Sequence, residues 1–341
     1  SPAVVFGEGG YGSGIDAAAA RYMTYWSRTT EATKGACDGG CDAHFSAFTS
    51  PPPAMNILYV KVEKAASSTT AGIARRIAQK KGLGNWNATN FFTQQPTVWS
   101  NHMLRLKIDS HDRTLRFPTF VFSVVRDPAE RCLSAFYFFM VHTYHVANTP
   151  ANKLRFLRLN CTNYQYHYLR THDTELARNK GTPYDAINHL LSQYSFIGVA
   201  EMYDATLVTL AKLLRVPLTH VLYVPSKVST DGSNNLPTHP QRQEEDQEVQ
   251  DFLRSRQWVQ QNTLDYLLYG IAKNRLQEGV NSTNLQPHID AFKEMEESAR
   301  GQCGDPIALG RFLDAGHSKD QWCYWGDNGC AYPCLDEIDS I

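Results

Sequence analysis

The hydrophobic positions of this chain follow two rhythms that take turns. Ile57-Leu58-Tyr59-Val60-Lys61-Val62 is a short, β-branched, apolar run, which suits a central strand of a parallel sheet. After a turn of small residues, Ile73, Ala74, Ile77 and Ala78 recur at helical spacing, which predicts a helix from Ser68 to about Lys80. The pair then repeats. Thr119-Phe-Val-Phe-Ser-Val-Val125 reads as a strand, Asp127 as an N-cap and Pro128 as a first-turn residue, with the helix running on through Leu133, Phe136, Tyr137 and Met140. Further along, Ser195–Ala200 and Val221–Val224 read as buried strands separated by a helix at about 203–214. Residues 240–278 read as helix, acidic at first (Glu244, Glu245, Asp246, Glu248) and then amphipathic around Trp258, Leu264, Leu267 and Ile271. The acidic run is taken as a solvated face. Strands alternating with helices indicate an α/β fold with a mainly parallel sheet.

The two ends differ from this body. Residues 1–53 are rich in Gly, Ala, Ser and Thr, carry Cys37-Asp-Gly-Gly-Cys41 and end in Pro51-Pro52-Pro53, a loose arm followed by a stiff spacer. Residues 300–341 hold Cys303, Cys323, Cys330 and Cys334 among Gly, Asp and Trp, a cystine-stapled tail. The expected organisation is therefore an arm at 1–53, a catalytic domain at 54–299 and a C-terminal extension at 300–341.

Charge narrows the partners. Lys plus Arg (33) and Asp plus Glu (34) nearly cancel over 341 residues, so no global basic field draws the chain to nucleic acid. An anionic ligand must be held by a local cluster. Eight cysteines accompany N-x-[ST] sequons at Asn87, Asn160 and Asn281, a combination that favours an oxidising, glycosylating compartment, the secretory lumen. Cys37 with Cys41 is a local pair, the four C-terminal cysteines are expected to form two disulfides of open connectivity, and Cys132 is read as merely buried. A four-thiolate zinc site is the alternative for the tail, though its spacings are not those of a zinc ribbon. No run reaches the roughly 18 apolar residues of a membrane span. The chain begins at Ser1-Pro2 without an apolar leader, so it reads as a trimmed form whose targeting segment is missing.

Two segments carry the chemistry. Lys64-Ala65-Ala66-Ser67-Ser68-Thr69-Thr70 lies between the first strand and its helix, where a helix N-terminus at the carboxyl edge of a sheet favours an oxyanion. Small residues let the backbone approach, hydroxyls add donors, and Lys64 adds charge. The Lys precedes the small-residue turn instead of following it, which argues against a Walker-type triphosphatase. The bland alternative is a strand–helix turn with capping hydroxyls. In Arg126-Asp-Pro-Ala-Glu-Arg131-Cys-Leu-Ser134, Arg126 ends the second strand and Ser134 lies about two turns into the next helix, within reach of one anion. Its alternative is Arg126 pairing Asp127 or capping the sheet.

Together these segments resemble the sulfotransferases that use 3′-phosphoadenosine-5′-phosphosulfate (PAPS), in particular the Golgi carbohydrate branch of galactose 3-O- and uronosyl 2-O-sulfotransferases. The resemblance covers about residues 55–278 and implies a P-loop-like three-layer α/β fold, a central mainly parallel sheet flanked by helices, plus the cysteine-rich C-terminal extension. It also implies that Lys64 meets the bridging and sulfuryl oxygens, that residues 65–70 hold the 5′-phosphosulfate, and that Arg126 and Ser134 bind the 3′-phosphate. Lys227, in Tyr223-Val-Pro-Ser-Lys227, adds charge near that phosphate or is a surface lysine. The product is PAP, no metal is called for, and the full-length form is a Golgi-lumen type II membrane protein or is secreted.

Direct transfer needs a base for the acceptor hydroxyl. The resemblance points to His102 in Val98-Trp-Ser-Asn101-His102-Met, with Asn101 where the family often has a second His; an imidazole with a pKa of about 6.5 suits the task. Glu63 ranks second, ahead of His111, His142, His145 and His167. Tyr164, Tyr166, His167 and Tyr168 beside Lys153, Arg155 and Arg158 form either a sugar-binding cleft or a packing cluster with a solvated basic face. The acceptor is expected to be a glycan hydroxyl. A small-molecule hydroxyl and a non-catalytic extracellular binding protein that keeps the fold are the alternatives.

Overall fold

The computed structural model describes residues 55–85, 97–100, 102–112, 118–174, 178, 181–224, 244–304 and 332–338. The chain divides into Ser1–Ala47 and Phe48–Ile341, and every described residue belongs to the second unit. Cys37, Cys41, Asn87, Asn101, Lys227, Cys323 and Cys330 lie outside the described residues.

The first strand, β1 (Asn56–Tyr59), is followed by α1 (Ser67–Lys80), β2 (Gly84–Asn85), β3 (Thr97–Trp99), α2 (Arg105–Asp112) and β4 (Thr119–Val125). Next come α3 (Pro128–Ala135), a π-helical segment (Phe136–Thr143), α4 (Pro150–Asn160), α5 (Tyr164–Leu169), α6 (Pro183–Ser192), β5 (Phe196–Val199) and α7 (Tyr203–Leu214). Helices α8 (Gln247–Arg254), α9 (Arg256–Gln261), α10 (Thr263–Ser282), α11 (Gln286–Cys303) and α12 (Tyr332–Ile338) complete the description. The strands form one sheet in the order β2-β3-β1-β4-β5, and each neighbouring pair is parallel. The α/β class with a parallel sheet flanked by helices is thus the one expected. Among the described residues no helix is long and apolar enough to cross a membrane.

Apolar burial explains why the strands sit where they do. Ile57, Leu58 and Tyr59 in β1, Phe122, Val124 and Val125 in β4, and Phe196 and Val199 in β5 are all buried, as the central strands of a parallel sheet must be. Pairing persists past the end of β1, since Val60 N donates to Phe122 O at 2.9 Å and Ser123 Oγ to Val60 O at 2.8 Å. Asp127 caps α3 as expected, accepting from Ala129 N at 2.9 Å and Glu130 N at 3.1 Å.

Three expectations need correction. Val221–Val224 is no strand: a 3₁₀ turn at Leu218–Val221 leads into buried Leu222 and Tyr223, and Tyr223 N finds the Glu296 carboxylate at 3.2 Å instead of a sheet neighbour. A short apolar run looks the same in either setting. The helix expected over 240–278 is broken, with Ser255 capping α9 by accepting from Trp258 N at 3.2 Å. Cys132 is not merely buried but bonded to Cys161, tying α3 to the end of α4. In keeping with the disulfides expected of the tail, Cys303 is bonded to Cys334, which removes both from a thiolate zinc site.

The acidic run and the basic face also fail to be solvated throughout. Lys153 is 4% exposed and bridges Glu245 Oε2 at 2.6 Å and Asp246 Oδ2 at 3.1 Å, and Tyr137 OH donates to Glu245 Oε1 at 2.7 Å. Burial alone would lower the Lys153 ammonium, but its bonds to Glu245, Tyr137 and Asp246 outweigh that and raise it above its ordinary value. Burial, with the Glu245 charge, pushes the Tyr137 phenol up to about 12. A buried pair of this kind costs several kcal/mol to break from one side.

Gly198 in β5 has no room for a side chain, because a Cβ there would run into Thr206 Cγ2. Thr206 cannot turn away, since its Oγ1 accepts from Val199 N at 2.9 Å and donates to Val199 O at 3.0 Å. Gly198→Ala is expected to destabilise the fold by about 1–3 kcal/mol, read as a lower urea midpoint at unchanged slope.

Candidate functional site

After β1 the chain crosses to β2 and β3 on one side of the sheet, whereas β4 and β5 lie on the other. The order therefore reverses at the adjacent strands β1 and β4, and the crevice beyond their carboxyl ends is where an open α/β sheet holds a ligand. The two segments singled out in the sequence leave from these ends.

In the first, Lys64 and Ala66 take left-handed backbone conformations, at φ 63° and φ 55°. Residues with a Cβ pay of order 1 kcal/mol each for this, so the surroundings must enforce it. Ala65 and Ser67 are buried and Ser68 and Thr69 half-buried. Ala66 stands at the N-cap of α1 and makes no side-chain cap, and a left-handed turn entering a helix is the kind of backbone concavity that accepts an anion. Thr70 serves from beneath: its hydroxyl donates to Ala66 O at 2.9 Å and meets Tyr203 OH at 2.9 Å. Its side chain is directed inward rather than toward the crevice. The Lys64 ammonium stands 3.9 Å from the centroid of Phe138, in the π-helical segment, a distortion that often marks functional positions.

In the second, Arg126 is fixed through its backbone. Its N–H donates to Gln165 Oε1 at 2.9 Å and its carbonyl accepts from Gln165 Nε2 at 2.8 Å. The guanidinium then reaches across, Nη1 donating to Lys64 O at 3.4 Å. Its carboxylate neighbours, Glu130 at 3.6 Å and Glu201 at 4.0 Å, are long pairs of small worth that a bidentate anion can displace. Ser134 is buried in α3. Arg131 faces the interior, 3.9 Å above the Tyr164 ring.

The base candidates separate. His102 is exposed and its Nδ1 lies 3.1 Å from Lys61 O. A carbonyl only accepts, so Nδ1 carries the hydrogen and Nε2 the lone pair. Glu63 Oε2 accepts from Tyr164 OH at 2.8 Å. Tyr168 is stacked on Tyr164 at 5.9 Å. Burial and then the Glu63 charge raise both phenols above their ordinary value, keeping them protonated. His142 lies 6.0 Å from the Phe138 ring, His167 packs on Tyr166, and His145 is exposed; the side chain of His111 is outside the description. Of the sugar-cleft set, Tyr166 is fully buried, Lys153 is interior and Arg158 covers Phe252 at 4.9 Å.

Sequence reasoning missed what holds these pieces. Asn163 Oδ1 accepts from Leu264 N at 2.9 Å and Asp265 N at 3.2 Å, while Asp265 accepts from Gln165 N at 3.0 Å and Tyr166 N at 2.8 Å. Asn262 Oδ1 accepts from Asn163 N at 3.1 Å. The N-termini of α5 and α10 thus cap each other. Burial pushes the Asp265 carboxyl up to about 6, against the pull of those N–H groups and of Arg131. Partners about a hundred residues apart leave no periodic signal.

A family model described as the sulfotransferase family matches residues 49–271. Because the match covers well over half of the chain, this protein belongs to the sulfotransferase family. A search of curated proteins finds no match.

Gln165→Ala removes both hydrogen bonds to the Arg126 backbone. It is expected to cost about 1–3 kcal/mol of stability, the loss of two hydrogen bonds worth about 0.5–1.5 kcal/mol each, measured by urea unfolding monitored through tryptophan fluorescence.

Proposed function

We propose that this member of the sulfotransferase family moves a sulfuryl group from PAPS to a hydroxyl of a carbohydrate acceptor, releasing PAP from a P-loop-like site. The observation that carries the reading is the junction of the two basic segments, Arg126 Nη1 on Lys64 O at 3.4 Å. It brings a cation suited to the 3′-phosphate to the same sheet edge as a loop suited to the 5′-phosphosulfate, the two anions that distinguish PAPS from ATP.

In this reading residues 64–69 hold the 5′ end through backbone N–H groups and hydroxyls, Thr70 braces the loop, and Arg126, with Ser134 and Lys227, takes the 3′-phosphate. The sulfur–oxygen bond to the donor phosphate breaks as a bond to the acceptor oxygen forms. His102 Nε2 takes the hydroxyl proton, and Lys64 neutralises the charge that grows on the departing phosphate oxygen. Lys64 leaves the Phe138 face to do so, exchanging a cation–π contact of about 0.5–2 kcal/mol for a charge-assisted bond. The catalytic domain is 54–299, with an arm at 1–53 and a cysteine-rich extension at 300–341. The disulfides Cys132–Cys161 and Cys303–Cys334, with exposed sequon residues Asn160 and Asn281, support work in an oxidising lumen, the Golgi.

Two variants test the roles. His102→Ala is expected to lower kcat by about 10²–10⁴-fold with the PAP dissociation constant, measured by calorimetry, little changed; near-normal turnover of labelled PAPS would reject the base. Lys64→Ala should lose transfer and bind PAP more weakly, because it removes a cation from both the ground and the transition state. An active Lys64→Ala enzyme would sink the mechanism.

A further inference from the structure

Glu63, immediately before the first segment, carries a charge that opposes the donor. A carboxylate beside a lysine that awaits a sulfuryl group weakens anion binding, so its presence asks for a reason. The structure gives it a fixed position: Tyr164 OH holds Oε2 at 2.8 Å, the Tyr164 ring packs against Arg131 at 3.9 Å and Tyr168 at 5.9 Å, and α5 is locked to α10 by the mutual caps of Asn163 and Asp265. His102 in turn is tied to Lys61 O, two residues before Glu63. Glu63 therefore adjoins Lys64 in the chain and lies two residues from the carbonyl that holds His102. Tyr164 and Glu63 are only half-buried, so both present surface there.

Resting on the donor and base roles proposed above, we infer that Glu63, oriented by Tyr164, is a specificity-determining residue that selects an uncharged, hydroxyl-rich acceptor. An acceptor hydroxyl must come between Lys64 and His102 to react, and Glu63 neighbours Lys64 directly and the His102 anchor, Lys61 O, at a remove of two residues. The two oxygens of the Glu63 carboxylate suit the vicinal hydroxyls of a neutral sugar, with a tyrosine face alongside. The same charge repels a uronate or sulfated sugar, which is discrimination by an unfavourable contact as much as by a favourable one. Tyr164 is a positioning residue, acting through Glu63.

The test uses the full chain with labelled PAPS and two acceptor sets, neutral galactose-type oligosaccharides and uronate-containing ones. The wild type is expected to favour the neutral set in kcat/KM. Glu63→Gln keeps the size and an oxygen for Tyr164 but removes the charge. It should raise KM for the neutral set about tenfold, the worth of one charge-assisted hydrogen bond, with a smaller change in kcat, and raise kcat/KM for the uronate set. Tyr164→Phe should shift the neutral-to-uronate ratio the same way by a smaller factor. Circular dichroism and PAP binding by calorimetry check that both variants remain folded. A ratio unchanged in Glu63→Gln overturns the inference, and so does a loss confined to kcat with KM intact, which would make Glu63 a base. If the wild type turns over no acceptor at all, the proposed function fails instead, and that outcome is separate from a change in ratio.

Discussion

The crevice depends on the mutual capping of two helix N-termini. Asn163 and Asp265 each lend a side chain to the other's helix, so α5, only six residues long, gains an anchor that its own length could not supply. Asn163 adopts φ 43° to do this, a conformation that asparagine tolerates better than most residues. Because α5 is held, Gln165 can pin the backbone of Arg126 and Tyr164 can hold Glu63. Three stretches far apart in the chain meet on one short helix.

A second set of anchors sustains the local strain of the crevice. The left-handed turns at Lys64 and Ala66 are unfavourable alone, yet Thr70 fastens the Ala66 carbonyl from within and Tyr203 fastens Thr70. On the far side, Arg76 in α1 is buried and spans Asp336 of α12 and Thr219 O, while Cys303–Cys334 ties α12 to α11. The helix whose N-terminus faces the crevice is thus restrained along its length. Preorganised donors of this kind need little rearrangement when charge develops, which is the largest single contribution in many enzymes.

Charge inside the fold is handled in two ways. The Lys153, Glu245 and Tyr137 cluster is closed, with each polar group answered and little surface shown. It fixes how α4 meets the turn before α8. At the crevice, by contrast, Arg126 makes long pairs with Glu130 and Glu201, and Lys64 lies against an aromatic face. Interior charges that serve structure are paired tightly; Arg126, proposed to meet an anion, is paired loosely, so the ligand can replace the partner.

The sequence by itself determined the elements that local physics decides. The apolar run of β4, the Asp127-Pro128 start of α3 and the periodicity of α1 were legible because burial and capping act over a few residues. So were the two basic segments, whose residue types suit anions wherever they lie. Only the tertiary structure decided which side chains met. That β1 and β4 are neighbours at the reversal of strand order, that Gln165 clasps Arg126, that Cys132 finds Cys161 and that Lys153 lies inside rather than on a solvated face all depend on contacts distant in sequence. Such pairings leave no period and no fixed spacing, because what selects them is the packing of whole helices against the sheet.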